Sequence, residues 1–223
     1  MFKPKAVDDD IADFIDEGFE SILAAFAAEK PVADTCLVTP APGFYVLEDN
    51  VRGPARAEAL FRQTAAYCGI ANWPVKLQEA GPAAPAAVDD LFVLVTDQKA
   101  SGVFSIGQAG DVTITYASRD VEKPADLIAT FAHEIAHYVL AGSAVEQEAD
   151  PDTLELLTDL TAVYLGFGVF LANAAFEFQG FSETGRQGWS ARTRGYLSER
   201  SLVYATALFC EIKGNDHAVA AQG

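Results

Sequence analysis

His133-Glu134-Ile135-Ala136-His137 is the stretch of this sequence whose residue types and spacing best suit a reaction. The order is H-E-x-x-H. On a helix, a four-residue step turns about 400° and rises about 6 Å, so both imidazoles lie on one face, on consecutive turns. Two nitrogens so placed can reach one zinc ion at about 2.0–2.1 Å. Glu134 lies beside His133 and can point at the open coordination position. There it can take a proton from a water whose pKa the metal has lowered to near 7. The chain has three histidines, and two of them fall here. The neighbours Thr130, Phe131, Ala132, Tyr138 and Val139 are all uncharged. Polar groups inside such a run need partners, and a metal supplies one; hydrogen bonds to backbone or carboxylates in a core are the alternative.

A catalytic zinc site expects a third protein ligand. His217 is the remaining histidine, and Gly214-Asn215-Asp216-His217 reads as a frayed, solvated tail. Glu155 and Asp159 are better candidates. They sit four apart on one helix face and are the only charges between Leu154 and Phe176. Two carboxylates in an apolar helix are costly unless paired or metal-bound. Two alternatives stand beside this. Asp152 and Glu155 could form a capping-box-like pair at a later helix start, or both acids could lie on a wet face.

His133-Glu134-x-x-His137 followed by Glu155-x-x-x-Asp159 resembles the gluzincin zinc metallopeptidases, the group that includes thermolysin. The run Asp159-Leu160-x-x-Val163-Tyr164-Leu165-Gly166-Phe167-Gly168 is similar to small bacterial proteins with a zincin motif. The resemblance covers roughly residues 112–176. It implies a zincin-like α+β domain in which His133, His137 and Glu155 are the ligands of Zn2+ and Glu134 is the general base. Asp159 would then fix the tautomer of a ligand histidine, most simply His133; Asp159 as the third ligand is the alternative. The segment 112–116 resembles the edge strand that binds extended peptides in zincins. The implied activity is hydrolysis of peptide bonds in a peptide or protein substrate. A zinc-binding interaction domain that holds a peptide without cutting it is the second reading, and a metal-free structural domain the third. For stabilising an oxyanion, Tyr164, Tyr196, Tyr204, Arg192 and Arg194 are all candidates.

The elements that must position these residues are legible in outline. Apolar residues at three- and four-residue steps predict a helix over 10–30, with Pro31 ending it. Residues 44–47 suit a strand, and 55–67 a helix stopped by Gly69. Strands are expected at 75–78, 91–95, 103–106 and 112–116, with a Pro/Ala-rich connector at 81–87 and a turn at Gly110-Asp111; the last three strands could form a meander. Pro124 opens the helix carrying the H-E-x-x-H run, and Gly142 can stop it. A loop with Glu146, Glu148 and Asp150 follows. Asp150-Pro151 then reads as the cap and first turn of a helix over 152–178, bent near Gly166 and Gly168. A polar turn over 180–188 precedes a last helix at 190–213.

These add up to one α+β domain over 1–223: an N-terminal helical and β portion (1–110), a metal-site core (111–178) and a C-terminal helix and tail (179–223). A small mixed sheet packs on the active-site helix. Half the residues are apolar, enough for a sizeable core. With 15 Lys and Arg against 32 Asp and Glu, the net charge is −17, which opposes binding to nucleic acid or an anionic membrane. The uncharged stretch 160–176 contains Thr161, Gly166, Gly168 and Asn173 and reads as buried core rather than membrane span. Cys36, Cys68 and Cys210 form no C-x-x-C pair, and no apolar leader follows Met1, so the expectation is a cytoplasmic protein. The acids Glu146, Glu148, Asp150 and Asp152 suit a solvated loop or a cleft rim that favours basic substrates. Asp8, Asp9 and Asp10 suit a helix start. Arg186, Arg192, Arg194 and Arg200 read first as structural.

Overall fold

Helix α1 (Asp9–Phe26) buries Ile15, Phe19 and Ile22, the stripe its periodicity predicts. Helix α2 (Gly53–Cys68) starts with Pro54 in its first turn and closes on Gly69, which is left-handed at φ 82°. The computed structural model describes residues 7–47, 50–80, 102–107, 109–180 and 196–220, with backbone alone for 176–180 and 215–220. The expected connector at 81–87 and the strand at 91–95 lie outside the described residues, as does all of the expected turn at 180–188 except Gly180.

Residues 44–47 are not a strand. Side chains of α2 hold them instead of a ladder. Gln63 brackets Val46, accepting from its N–H at 2.9 Å and donating to its carbonyl at 3.1 Å. The Tyr67 hydroxyl donates to the Phe44 carbonyl at 2.6 Å.

Three described strands form a mixed sheet: β1 (Val75–Glu79), β2 (Gly102–Ile106) and β3 (Val112–Tyr116). Their order is β1-β3-β2. β1 pairs parallel with β3, Leu77 opposite Ile114. β2 pairs antiparallel with β3, Phe104 opposite Ile114, through the Gly110-Asp111 turn. Strand 112–116, expected at an edge, is therefore central among the described strands. It buries Val112, Ile114 and Tyr116, and β2, an outer strand among those described, packs against the helix that carries the H-E-x-x-H run.

Helix α3 (Pro124–Leu140) carries the H-E-x-x-H run and is buried along most of its length, with Phe131 and Ile135 fully enclosed. The expected loop after it holds a short helix, α4 (Ala144–Glu148). Ser143 caps α4 by accepting from the Glu146 N–H at 3.2 Å, while the Glu146 carboxylate reaches back to the Gly142 N–H. This variant of a capping box is the physical reason the loop is helical.

Asp150 caps α5 (Pro151–Tyr164) by accepting from the N–H groups of Asp152 and Thr153, both at 3.1 Å. The helix therefore starts where Asp150-Pro151 predicts, and no Asp152–Glu155 box is needed. The single bent helix expected over 152–178 is instead two, α5 and α6 (Gly168–Gly180). Gly166 separates them at φ 97°. Its carbonyl accepts from the Val38 N–H at 2.9 Å, and a Cβ there would lie 2.0 Å from the Cys36 carbonyl oxygen. The close crossing of the 35–38 segment demands both the break and the glycine.

The final helix, α7 (Glu199–Ala220), begins nine residues later than position 190 and extends beyond position 213, so the backbone at His217 is helical rather than frayed. Ser198 caps α7, accepting from the Ser201 N–H at 3.2 Å. α7 packs on α5 and α6. The uncharged run 160–176 is thus divided between two packed helices, and among the described residues no helix is long and apolar enough to cross a membrane.

Candidate metal centre

α3 and α5 pack directly against each other, which brings the two sequence motifs together. His133, His137 and Glu155 each offer a ligand atom, and these three atoms lie within 4.8 Å of one another. His133 Nε2 is 3.3 Å from Glu155 Oε2, and His137 Nε2 is 3.5 Å from Glu155 Oε1. The two imidazoles stand nearly perpendicular, with centroids 4.8 Å apart. All three side chains are buried.

The far nitrogens are anchored on α5. His133 Nδ1 lies 3.0 Å from Asp159 Oδ1. The other Asp159 oxygen accepts from the Leu197 N–H at 2.8 Å. Both Asp159 oxygens are thus engaged away from the ligand cluster, which fits an orienting role rather than direct ligation. His137 Nδ1 lies 3.3 Å from Thr158 Oγ1. The Thr158 hydroxyl donates to the Leu154 carbonyl at 2.8 Å, so its oxygen accepts from the imidazole. Protons held on both Nδ1 atoms leave both Nε2 lone pairs facing the Glu155 carboxylate, the tautomers a metal site requires. Thr158 was not legible as a site residue. Its signal was position alone, three residues after Glu155 on the same helix.

A cation fits this donor set. Glu155 is only 7% exposed, and while His133 Nε2 carries no proton, Glu155 Oε2 has no hydrogen-bond donor, although that nitrogen lies 3.3 Å away. A buried carboxylate oxygen facing imidazole lone pairs needs a positive charge. A proton can supply it in the absence of a metal. Burial alone would lower the His133 pKa, but the hydrogen bonds to Asp159 and Glu155 overcome this and raise it to about 10. Burial alone would raise Glu155, and its bonds to His133 and His137 instead pull it down to about 2.

These shifts set a pH window for the metal-free protein. His133, raised from 6.5 to about 10, contributes stability that is full below 6.5 and is lost as pH rises towards 10. Glu155, lowered from 4.5 to about 2, contributes stability that is full above 4.5 and is lost as pH falls towards 2. Chelator-treated protein is expected to lose about 1 kcal/mol per pH unit above 6.5 from His133. Thermal melts across pH 6.5–10 should show this decline, and zinc-loaded protein should not, because the cation replaces the proton.

Glu134 is 6% exposed and sits between α3 and β2. Burial above all, with help from the Glu155 charge, raises its pKa; His133, His137 and the Phe104 N–H pull the other way. The Phe104 ring stacks on His137, with centroids 6.2 Å apart and planes 8° from parallel.

The tyrosine candidates now separate. Tyr164 is fully buried and donates to the Lys30 carbonyl. Tyr204 donates to Asp16 at 3.3 Å, joining α7 to α1. Tyr196 is 39% exposed, with its ring 5.2 Å from that of His133. It precedes Leu197, whose N–H is held by Asp159. Of the three, Tyr196 alone reaches the site. Arg186, Arg192 and Arg194 lie outside the described residues, and Arg200 is exposed on α7. Of the loop acids, Glu146 and Asp150 serve as helix caps rather than cleft-rim charges. The three cysteines are free thiols.

Comparison with known proteins finds no matching family model, no similar curated protein and no similar solved structure.

Proposed function

We propose that this protein is a zinc-dependent peptidase of the gluzincin type, acting on a peptide or protein substrate. The observation that carries the reading is the convergence of His133 Nε2, His137 Nε2 and the Glu155 carboxylate in one buried cluster, with Glu134 beside it. Two imidazoles and one carboxylate are a donor set of catalytic zinc sites, which keep a fourth position open. Bound zinc would polarise the scissile carbonyl and acidify a water.

The chain's own residues supply the rest. Asp159 and Thr158 hold the two imidazoles in the tautomer that presents Nε2. Glu134 takes a proton and passes it to the leaving amine, and its burial-raised pKa suits both halves of that transfer. Tyr196 is the group placed to stabilise charge developing on the carbonyl oxygen, and the Asp159–Leu197 bond ties its backbone to the ligand His133. One carboxylate thus orients a ligand and anchors the segment that carries the phenol.

The test is metal removal. Purified protein is expected to carry about one zinc per chain and to cleave a mixed peptide library. A chelator should abolish cleavage, and added zinc should restore it. Full cleavage by protein stripped of metal would refute the proposal.

A further inference from the structure

Gly102 is not required by its backbone, which lies outside the left-handed region. It is required by space. A Cβ at this position would lie 2.5 Å from Thr130 Cγ2, 2.8 Å from Glu134 Oε1 and 3.0 Å from Glu134 Cγ. Real Cβ atoms essentially never come within 3.0 Å of another heavy atom in this way, so a side chain here forces Thr130, Glu134 or the strand to move. Glu134 has little freedom to give way, because it is buried, its carboxylate is bonded by the Phe104 N–H, and the Glu155 carboxylate repels it.

Two residues further along the same strand, the Phe104 N–H hydrogen-bonds the Glu134 carboxylate while the Phe104 ring stacks on His137. In a strand, positions two apart point the same way. Gly102 and Phe104 therefore address α3 from one side of β2: the first sets how close the strand comes, and the second grips both the carboxylate and a ligand imidazole.

We propose that β2 is a positioning element for the general base, in which the bare Gly102 and the Phe104 N–H together fix the Glu134 carboxylate relative to His137. The proposal rests on the reading of Glu134 as the proton acceptor. It adds Gly102 as a positioning residue, one that does not touch substrate and acts only through Glu134. A displacement of about 1 Å at a reacting group can cost about 10²-fold in rate, and the overlap at Cβ is of that order.

The experiment is a double-mutant cycle on the full chain with Gly102→Ala, Glu134→Ala and Thr130→Ala. Gly102→Ala is expected to keep its zinc, as measured by atomic absorption. Its kcat should fall about 10- to 100-fold with KM changed by less than about threefold. Gly102→Ala should lower the melting temperature of the wild type clearly more than that of Glu134→Ala, where the clashing carboxylate is gone. Thr130→Ala, which removes the other contact, should not restore kcat. Recovery of kcat in Gly102→Ala/Thr130→Ala would overturn the proposal, since the effect would then run through packing against Thr130. So would an equal loss of melting temperature with and without the Glu134 side chain, including a failure of both to fold. If the wild type cleaves no peptide, the peptidase reading fails, and the melting-temperature cycle still decides whether Gly102 and Glu134 are coupled.

Discussion

Glu134→Gln protein is expected to hold its zinc at the wild-type level and to lose about 10²- to 10⁴-fold in peptide turnover. The two side chains have nearly the same shape, and an amide oxygen can still accept from the Phe104 N–H that bonds the carboxylate. Packing against Gly102 and Thr130 is therefore retained. What disappears is the ability to take a proton. Glu134 is not one of the three residues that offer ligand atoms, so the donor set is unchanged by the substitution. Zinc per chain and steady-state kinetics on one cleaved peptide measure the two halves of this expectation. The interaction-domain reading gives a different outcome: a protein that only holds peptides would bind them with the same affinity before and after the substitution, with no turnover to lose. A variant that keeps wild-type turnover would remove Glu134 from the reaction.

Local periodicity explains what the sequence revealed of this site. The step from His133 to His137 and the step from Glu155 to Asp159 are each one helical turn, so each pair can be recognised within its own segment. The Asp150-Pro151 start and the Gly69 stop are local as well, and both hold. What was not legible depends on how segments cross. Thr158 becomes a histidine partner only because α5 lies against α3 at one height. Tyr196 could not be separated from Tyr164 and Tyr204, since all three are tyrosines among apolar residues and only tertiary packing sends one to His133. The helix break at Gly166 is imposed by a carbonyl far earlier in the chain, at Cys36. The edge placement of strand 112–116 fails for a similar reason. Strand 112–116 alternates as an edge or a central strand would, and the parallel pairing of β1 alongside it has no local signature. Ser143-x-x-Glu146 is the exception: the capping signal was present in the sequence and the segment was nevertheless expected to be a loop.

Glu155→Ala should empty the site. The two α5 carboxylates have different roles, since Glu155 faces both Nε2 atoms while Asp159 faces His133 Nδ1 and the Leu197 N–H. Removing a residue that only orients a ligand costs about 10- to 100-fold in metal affinity. Asp159→Asn is expected in that range, because the amide oxygen can still accept from His133. Removing a ligand must cost more, since the cation keeps two protein donors and loses the only anionic one. Glu155→Ala is therefore expected to lose at least about 10²-fold in zinc affinity and to come through dialysis with far less than one zinc per chain. Competition against a chromogenic chelator, run on wild type and both variants at one pH, ranks the three affinities. The order wild type, Asp159→Asn, Glu155→Ala follows from the contacts. The reverse order for the two variants would make Asp159 the ligand and Glu155 the supporting group. Full occupancy in Glu155→Ala would mean that the cation, wherever it binds, is not held by the cluster on α3 and α5, and the hydrolytic reading would lose its basis.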